Sequence, residues 1–144
     1  RRYRVKGHFL ISVRDVTILA LGPNERAMQT DPTVKRLRAL TGDPGSRRWG
    51  NRIHVEDAAA ALAHVLALDA PAPLYLGNDD QPALDTEVLA WLRAREGLPP
   101  LPPVAPGPAT GRRVANARLR ATGWAPAFPD YRAGYASLLS GPGV

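Results

Sequence analysis

The sequence predicts the α/β class. Three observations carry this: β-branched, apolar runs at Val13 to Leu21 and Pro73 to Gly77, amphipathic stretches at helical spacing between and after them, and the strand–helix–strand–helix order that the two kinds of segment make. Strands joined through helices generally run parallel and are covered on their faces, so parallel strands are the expectation.

Residues 1–12 show no clear period, and only Phe9-Leu10-Ile11 reads as a short apolar strand. Val13 to Leu21 reads as a buried strand that stops at the turn Gly22-Pro23-Asn24. Thr33 to Leu40 places Val34, Leu37 and Leu40 on one stripe with Lys35, Arg36 and Arg38 beside it, which predicts a helix capped by Thr33 and ended by Gly42. Trp49 to Val55 reads as a strand running straight into a helix. Glu56 and Asp57 open that helix, where carboxylates complement its unpaired amides, and it continues to about Leu68.

Pro73 to Gly77 is the next strand, with Asn78-Asp79-Asp80 as its turn. Asp85 or Thr86 caps a helix whose apolar face is Val88, Leu89, Trp91 and Leu92, and Gly97 ends it. Six prolines in residues 98–108 forbid helix there and leave an extended surface connection. Asn116 to Gly123 reads as a two-turn helix with an asparagine cap, and Asp130 caps a last helix through Leu139.

A chain of 144 residues is long enough for a core of its own. With no cysteine, disulfides and thiolate metal sites are excluded. No apolar run approaches the roughly 20 residues of a membrane span, and Arg1-Arg2-Tyr3-Arg4 lacks the apolar core of a signal peptide. A cytoplasmic location without a membrane partner is therefore expected. The net charge of +6 is unevenly spread. Residues 1–52 hold 12 basic and 4 acidic side chains, residues 53–97 hold 2 and 8, and residues 98–144 hold 5 and 1. That layout could place two positive segments around one anionic ligand, but solvated arginine-rich faces are the better-supported reading.

The candidate site residues cluster at two places. Asn51, Arg52 and His54 sit with Glu56 and Asp57 at the expected strand–helix junction, where alternation puts Arg52 and His54 on one face and Ile53 and Val55 on the other. His54 has a structural hydrogen-bonding reading and a site-lining one, and both stay open. Arg112 and Arg113 precede the short helix at Asn116, where contact with a phosphate or a solvated surface are the alternatives. Asp79-Asp80 reads as a turn rather than a metal site, His64 as a partly exposed helix residue, and no residue pattern predicts a metal or a catalytic group.

Between Thr33 and Leu139 the chain resembles the C-terminal part of the extended short-chain dehydrogenase/reductase family, of the NAD-dependent epimerase/dehydratase kind. The resemblance lies in three ordered segments. These are Asn51 to Ala59 (Asn-Arg-Ile-His-Val-Glu-Asp-Ala-Ala), Leu74 to Pro82, and Val114 to Pro126 followed by Phe128 to Tyr135. It implies a partial Rossmann-like set of parallel strands, with residues 1–32 as the last part of that sheet and residues 33–140 as the small substrate-binding region. In sugar-nucleotide epimerases an arginine three residues before the isoleucine contacts the substrate's diphosphate. Gly50 holds that place here, and Arg52 is the candidate substitute. A nucleotide sugar as substrate therefore depends on Arg52 taking that role.

The resemblance further implies NAD or NADP as the cofactor of the full-length family, and a small-molecule substrate held by Asn51, Arg52, His54, Arg112 and Arg113. The family's glycine-rich dinucleotide loop is absent, and so is its tyrosine with lysine four positions later: Gly7, Asp79, Tyr135 and Leu139 follow the tyrosines at that distance. The expectation is a chain lacking the catalytic half and inactive alone. The alternative class is a small basic module for nucleic acid or another polyanion, against which the acidic middle section argues. Calorimetric titration of the chain with NAD and with NADP is expected to give no binding isotherm, and a clear isotherm with either would overturn the expectation.

Overall fold

The computed structural model describes the backbone of residues 2–5, 8–13, 16–20 and 32–140, with side chains from residue 35 onward. Its elements are β1 (Arg2–Val5), β2 (His8–Val13), β3 (Val16–Ala20), α1 (Pro32–Leu40), β4 (Trp49–Gly50), α2 (Val55–Leu66), β5 (Leu74–Gly77), β6 (Ala83–Leu84), α3 (Asp85–Arg95), α4 (Ala117–Arg120) and α5 (Tyr131–Leu139).

Four strands form one sheet in the order β1-β2-β3-β5. β1 pairs antiparallel with β2 (Arg2 opposite Ile11, Val5 opposite His8), and β2 antiparallel with β3 (Phe9 opposite Ala20, Val13 opposite Val16). β3 then runs parallel to β5, with Thr17 opposite Leu74 and Ala20 opposite Gly77. The mixed helix-and-strand class stands, but the expected parallel arrangement does not describe this sheet, since two of its three ladders are antiparallel. The single strand expected over Val13 to Leu21 is also corrected. Val13 ends β2 and Val16 begins β3, and the charged pair Arg14-Asp15 divides the apolar run in the sequence. The turn expected at Gly22-Pro23-Asn24 lies outside the described residues.

A second, two-stranded ladder pairs β4 with β6 antiparallel, Trp49 opposite Leu84 and Gly50 opposite Ala83. The strand expected to continue to Val55 therefore stops at Gly50, residues 51–54 are irregular, and α2 starts at Val55. His54 occupies the cap position, its Nδ1 accepting from the Glu56 amide at 3.3 Å. For α3 the cap falls on Leu84 rather than Asp85 or Thr86, because the Glu87 carboxylate reaches back to accept from the Leu84 amide at 3.0 Å. Thr33 lies inside α1, whose first residue is Pro32, a position that needs no amide donor. The glycines expected to stop helices, Gly42, Gly97 and Gly123, all have positive φ (81°, 71° and 94°).

The face of α1 is the reverse of the one its apolar spacing predicts. Leu37 and Leu40 are exposed while Lys35 and Ala39 are buried. The cause is electrostatic: the Lys35 ammonium pairs with the Asp85 carboxylate on α3, and Arg38 joins it, Nη2 to Asp85 Oδ2 at 3.0 Å and Nε to Asp43 Oδ2 at 2.6 Å. These pairs turn the basic side of α1 inward onto α3. Burial pulls the Lys35 ammonium below its ordinary value against the opposing hydrogen bond that it donates to Asp85. Asp85 is held below the usual carboxylate range: burial favours its neutral form, but Lys35 and Arg38 outweigh that.

Two apolar clusters form the core of the described residues. One gathers Ala61 and Val65 of α2, Tyr75 of β5, Leu119 of α4 and Trp124, with Ile53 packed against it. The other gathers Ala39, Ala83, Val88, Leu89, Leu92, Tyr131 and Tyr135. α4 is one turn rather than two, and Asn116 makes no side-chain cap. Asp130 does cap α5, its Oδ1 accepting from the Ala133 amide at 2.9 Å.

Asp57 ties the first cluster to the loop before α5. Its two carboxylate oxygens accept from the amides of Ala127 (2.7 Å) and Phe128 (2.9 Å), and Phe128 in turn stacks on the His54 ring with centroids 3.8 Å apart. Removing a buried acceptor strands its donors, so Asp57→Ala is expected to lower stability by about 2–4 kcal/mol. Urea unfolding followed by far-ultraviolet circular dichroism measures this, and a loss below about 1 kcal/mol would show that the clasp is dispensable.

Candidate functional site

The candidate residues meet where the irregular segment 51–54 runs between the end of β4, the end of β5 and the extended stretch 110–114. Residues 47–49 and 110 are knitted by backbone bonds, Trp49 N–H to the Thr110 carbonyl at 2.9 Å and Thr110 N–H to the Arg47 carbonyl at 2.8 Å. The Asn51 side chain extends this ladder. Its Nδ2 donates to the Arg112 carbonyl at 2.9 Å and its Oδ1 accepts from the Val114 amide at 2.8 Å. An asparagine amide has the donor and acceptor of a peptide group, which lets it substitute for a strand residue here.

The consequence is that the two basic segments of the sequence lie side by side. The Arg113 guanidinium stands over the Trp49 ring, 4.8 Å from its centroid, and Arg47, Arg48, Arg112 and Arg113 are exposed without an ion-pair partner among the described residues.

Arg52 folds back on the end of the β4–β6 ladder. Its Nη1 donates to the Gly50 carbonyl at 3.1 Å and to the Ala83 carbonyl at 3.4 Å, the two residues of the terminal register pair. A Cβ at position 50 would lie 2.7 Å from Arg52 Nη2 and 2.9 Å from its central carbon, so the guanidinium fills the space where a side chain at 50 would begin. Gly50 and Arg52 are thus in close contact, and a side chain at 50 would require the guanidinium to shift. The strand alternation used to place Arg52 and His54 together fails, because no strand continues beyond Gly50. His54 is 7% exposed, packed between Phe128 and the first turn of α2, with its Nε2 buried and unpartnered.

Asp79 joins the site without having been a candidate for binding. Its amide donates to the Arg52 carbonyl at 2.6 Å, which docks the segment after β5 against residues 51–54. Asn78 is fully buried, its Nδ2 donating to the Asp79 and Val114 carbonyls at 2.7 and 3.0 Å. Asn116 Nδ2 donates to the Asn78 carbonyl and to Asp80 Oδ1, both at 2.8 Å. Burial pushes the Asp79 carboxyl up to about 7, against the opposing charge of Arg52 and the Gln81 amide. The signal in the sequence was a polar triplet directly after a buried strand, where a turn is the ordinary reading.

His64 stands apart from this region. Its Nε2 lies 2.9 Å from Thr122 Oγ1, whose own hydrogen goes to the Leu119 carbonyl at 2.6 Å, so His64 donates through Nε2. Among the described residues no group of three or more His, Asp or Glu side chains could hold a metal ion, and no helix is long and apolar enough to cross a membrane.

This arrangement is that of a mixed helix-and-strand protein with a polar site beyond the carboxyl end of a strand, a common position for ligand sites in α/β proteins. The chain is similar in structure to the "putative NAD-dependent epimerase/dehydratase" from Methylobacillus flagellatus, at 29% sequence identity and a TM-score of 0.67 over 84% of its length. It spans 44% of that protein. No protein-family model matches the sequence, and no curated protein does. The pattern Gly-x-Gly-x-x-Gly occurs nowhere in the sequence.

The Asp79 value has a consequence for stability. Since it lies above the ordinary 3.8, the folded chain holds more protons than the unfolded one between these two values, and stability falls as pH rises through that window. Asp79→Asn is expected to flatten the fall, measured as urea midpoints at about pH 5 and about pH 8; an unchanged slope would count against the residue as its source.

Proposed function

We propose that this chain forms the substrate-binding part of an NAD-dependent epimerase/dehydratase-like protein, of the extended short-chain dehydrogenase/reductase kind. On this reading residues 1–32 are the last part of a Rossmann-like sheet and residues 33–140 the substrate-binding region of a cytoplasmic protein. The carrying observation is the likeness to the Methylobacillus flagellatus protein over 84% of this chain.

The substrate is an anionic, polyhydroxylated small molecule, such as a nucleotide sugar. Arg52 takes the diphosphate role that an arginine at position 50 has in the sugar-nucleotide epimerases, and the close approach of its guanidinium to Gly50 supports this substitution. Arg112 and Arg113 supply the second positive edge. Asn51 acts by holding the backbone of residues 112–114 in place, since both of its polar side-chain atoms are engaged there. His54 serves the site from behind, fixing the start of α2. Proton and hydride exchange belong to the tyrosine–lysine pair and dinucleotide loop of the family, which are not among these residues, so the chain by itself does not turn substrate over.

Uridine diphosphate tests the reading. The unaltered chain is expected to bind it, and Arg52→Ala to weaken that binding at least about tenfold in a calorimetric titration. Arg52 lies against the carbonyls of Gly50 and Ala83, so thermal unfolding of the variant is recorded alongside. Equal affinity of a folded Arg52→Ala chain would overturn the assignment.

A further inference from the structure

Residues 98–109, on the connection from α3 to α4, carry no polar or charged side chain: they read Leu-Pro-Pro-Leu-Pro-Pro-Val-Ala-Pro-Gly-Pro-Ala. Each proline fixes its own φ and pushes the residue before it into the extended region, so the stretch is held in polyproline II geometry, with three residues per turn and no internal hydrogen bonds. Burial follows that period of three. Leu98, Leu101 and Val104 are half-buried, while Pro99, Pro100, Pro102, Pro103, Ala105 and Pro106 are exposed. One row of the helix thus faces the body of the protein, and the other two, made almost wholly of proline, face solvent. At about 3.1 Å per residue they form an apolar ridge about 28 Å long. Contiguous exposed apolar surface of this kind marks a place where another molecule binds.

The ridge is fixed at both ends. Arg93 Nε donates to the Pro99 carbonyl at 2.6 Å and the Arg93 carbonyl accepts from the Leu98 amide at 3.2 Å, while Arg47 Nε donates to the Gly107 carbonyl at 2.8 Å. Between these points Leu101 lies over the turn after α1, where a Cβ on Gly42 would stand 3.9 Å from Leu101 Cδ2. The carbonyls of residues 100–106 accept no hydrogen bond from the described residues. The surface is therefore preorganised, which lowers the cost of ordering it on binding, and its row of acceptors is open. Its two ends differ in charge. Near Leu98, Glu96 is paired with Arg36, whereas at Gly107 the exposed Arg47 has no ion-pair partner among the described residues.

We propose that the ridge over residues 98–106 is a docking surface for a protein domain whose groove is lined by aromatic side chains and bears carboxylates at the end that meets Arg47. Aromatic rings pack between successive exposed prolines, and their hydroxyl or indole donors reach the open carbonyls. The carboxylates answer the unpaired guanidinium and set the direction in which the ridge lies in the groove. The inference is independent of the substrate-binding reading, because neither these prolines nor Arg47 has a part in it.

An isolated SH3 domain with carboxylates beside its aromatic groove is the probe, titrated calorimetrically into the full chain. Saturable binding with a dissociation constant of about 100 μM or below is expected, and the double variant Pro103→Ala, Pro106→Ala is expected to weaken it at least about tenfold. Both prolines are exposed, and thermal unfolding of the variant is recorded to show that the fold is kept. No binding by the unaltered chain overturns the proposal, and so does equal affinity of the folded double variant. Added salt is expected to weaken the unaltered complex, and Arg47→Gln to remove most of that salt response; an undiminished response in Arg47→Gln overturns the acid-flanked groove, and decides the matter if the double variant does not fold. Sedimentation of the chain alone, over the concentrations of the titration, is expected to show a monomer. Dimerisation that the double variant abolishes would make a second copy of the chain the occupant and overturn the proposal.

Discussion

Residues 51–54 belong to no helix or strand, yet they lie between three elements, and a backbone segment in that position must find partners for its amides and carbonyls outside any ladder. How it does so decides the rest of the site. The Arg52 carbonyl receives the Asp79 amide, the Asn51 side chain takes over the pairing of a strand residue toward Arg112 and Val114, and the His54 ring nitrogen meets the first turn of α2. These bonds come from side chains or from segments far along the chain. They bring together β4, the end of β5, the start of α2 and the stretch after the proline-rich connection, and every candidate residue stands on one of those pieces.

Charge acts on the same frame at two depths. At the surface, the arginines of residues 47–48 and 112–113 are brought side by side without carboxylate partners among the described residues, which leaves their charge facing solvent. In the interior, Asp85 is overcompensated by Lys35 and Arg38, while Asp79 is undercompensated by an Arg52 that turns to backbone carbonyls instead. The two buried carboxylates are accordingly displaced in opposite directions, Asp85 below the ordinary range and Asp79 above it. One behaves as a fastening between helices. The other exchanges its proton near neutrality.

Much of the architecture was legible from local signals. Helices α2, α3 and α5 follow from apolar spacing and from carboxylates at their starts, and the glycine stops at 42, 97 and 123 follow from the φ that only glycine adopts freely. Two misreadings have one origin. Apolar spacing assigned Leu37 and Leu40 to the buried face of α1, and alternation carried β4 on to Val55. Both inferences treat side-chain polarity as sufficient. In α1 an ion pair with a helix 50 residues away outweighed it, and after Gly50 the partner strand β6 extends no further than the Ala83 pair.

The sequence by itself determined the mixed helix-and-strand class, the positions of the longer helices, the segregation of charge into basic, acidic and basic stretches, and the identities of Asn51, Arg52, Arg112 and Arg113 as residues worth watching. Each of these is written in neighbouring residues, within the range of a turn or a helical repeat. Tertiary structure alone decided that the basic stretches adjoin, that the Arg52 guanidinium occupies the space above Gly50, and that Asp79 is buried beside it. Those facts depend on hydrogen bonds between residues about 30 to 60 positions apart, and no local periodicity encodes which distant carbonyl an amide will find.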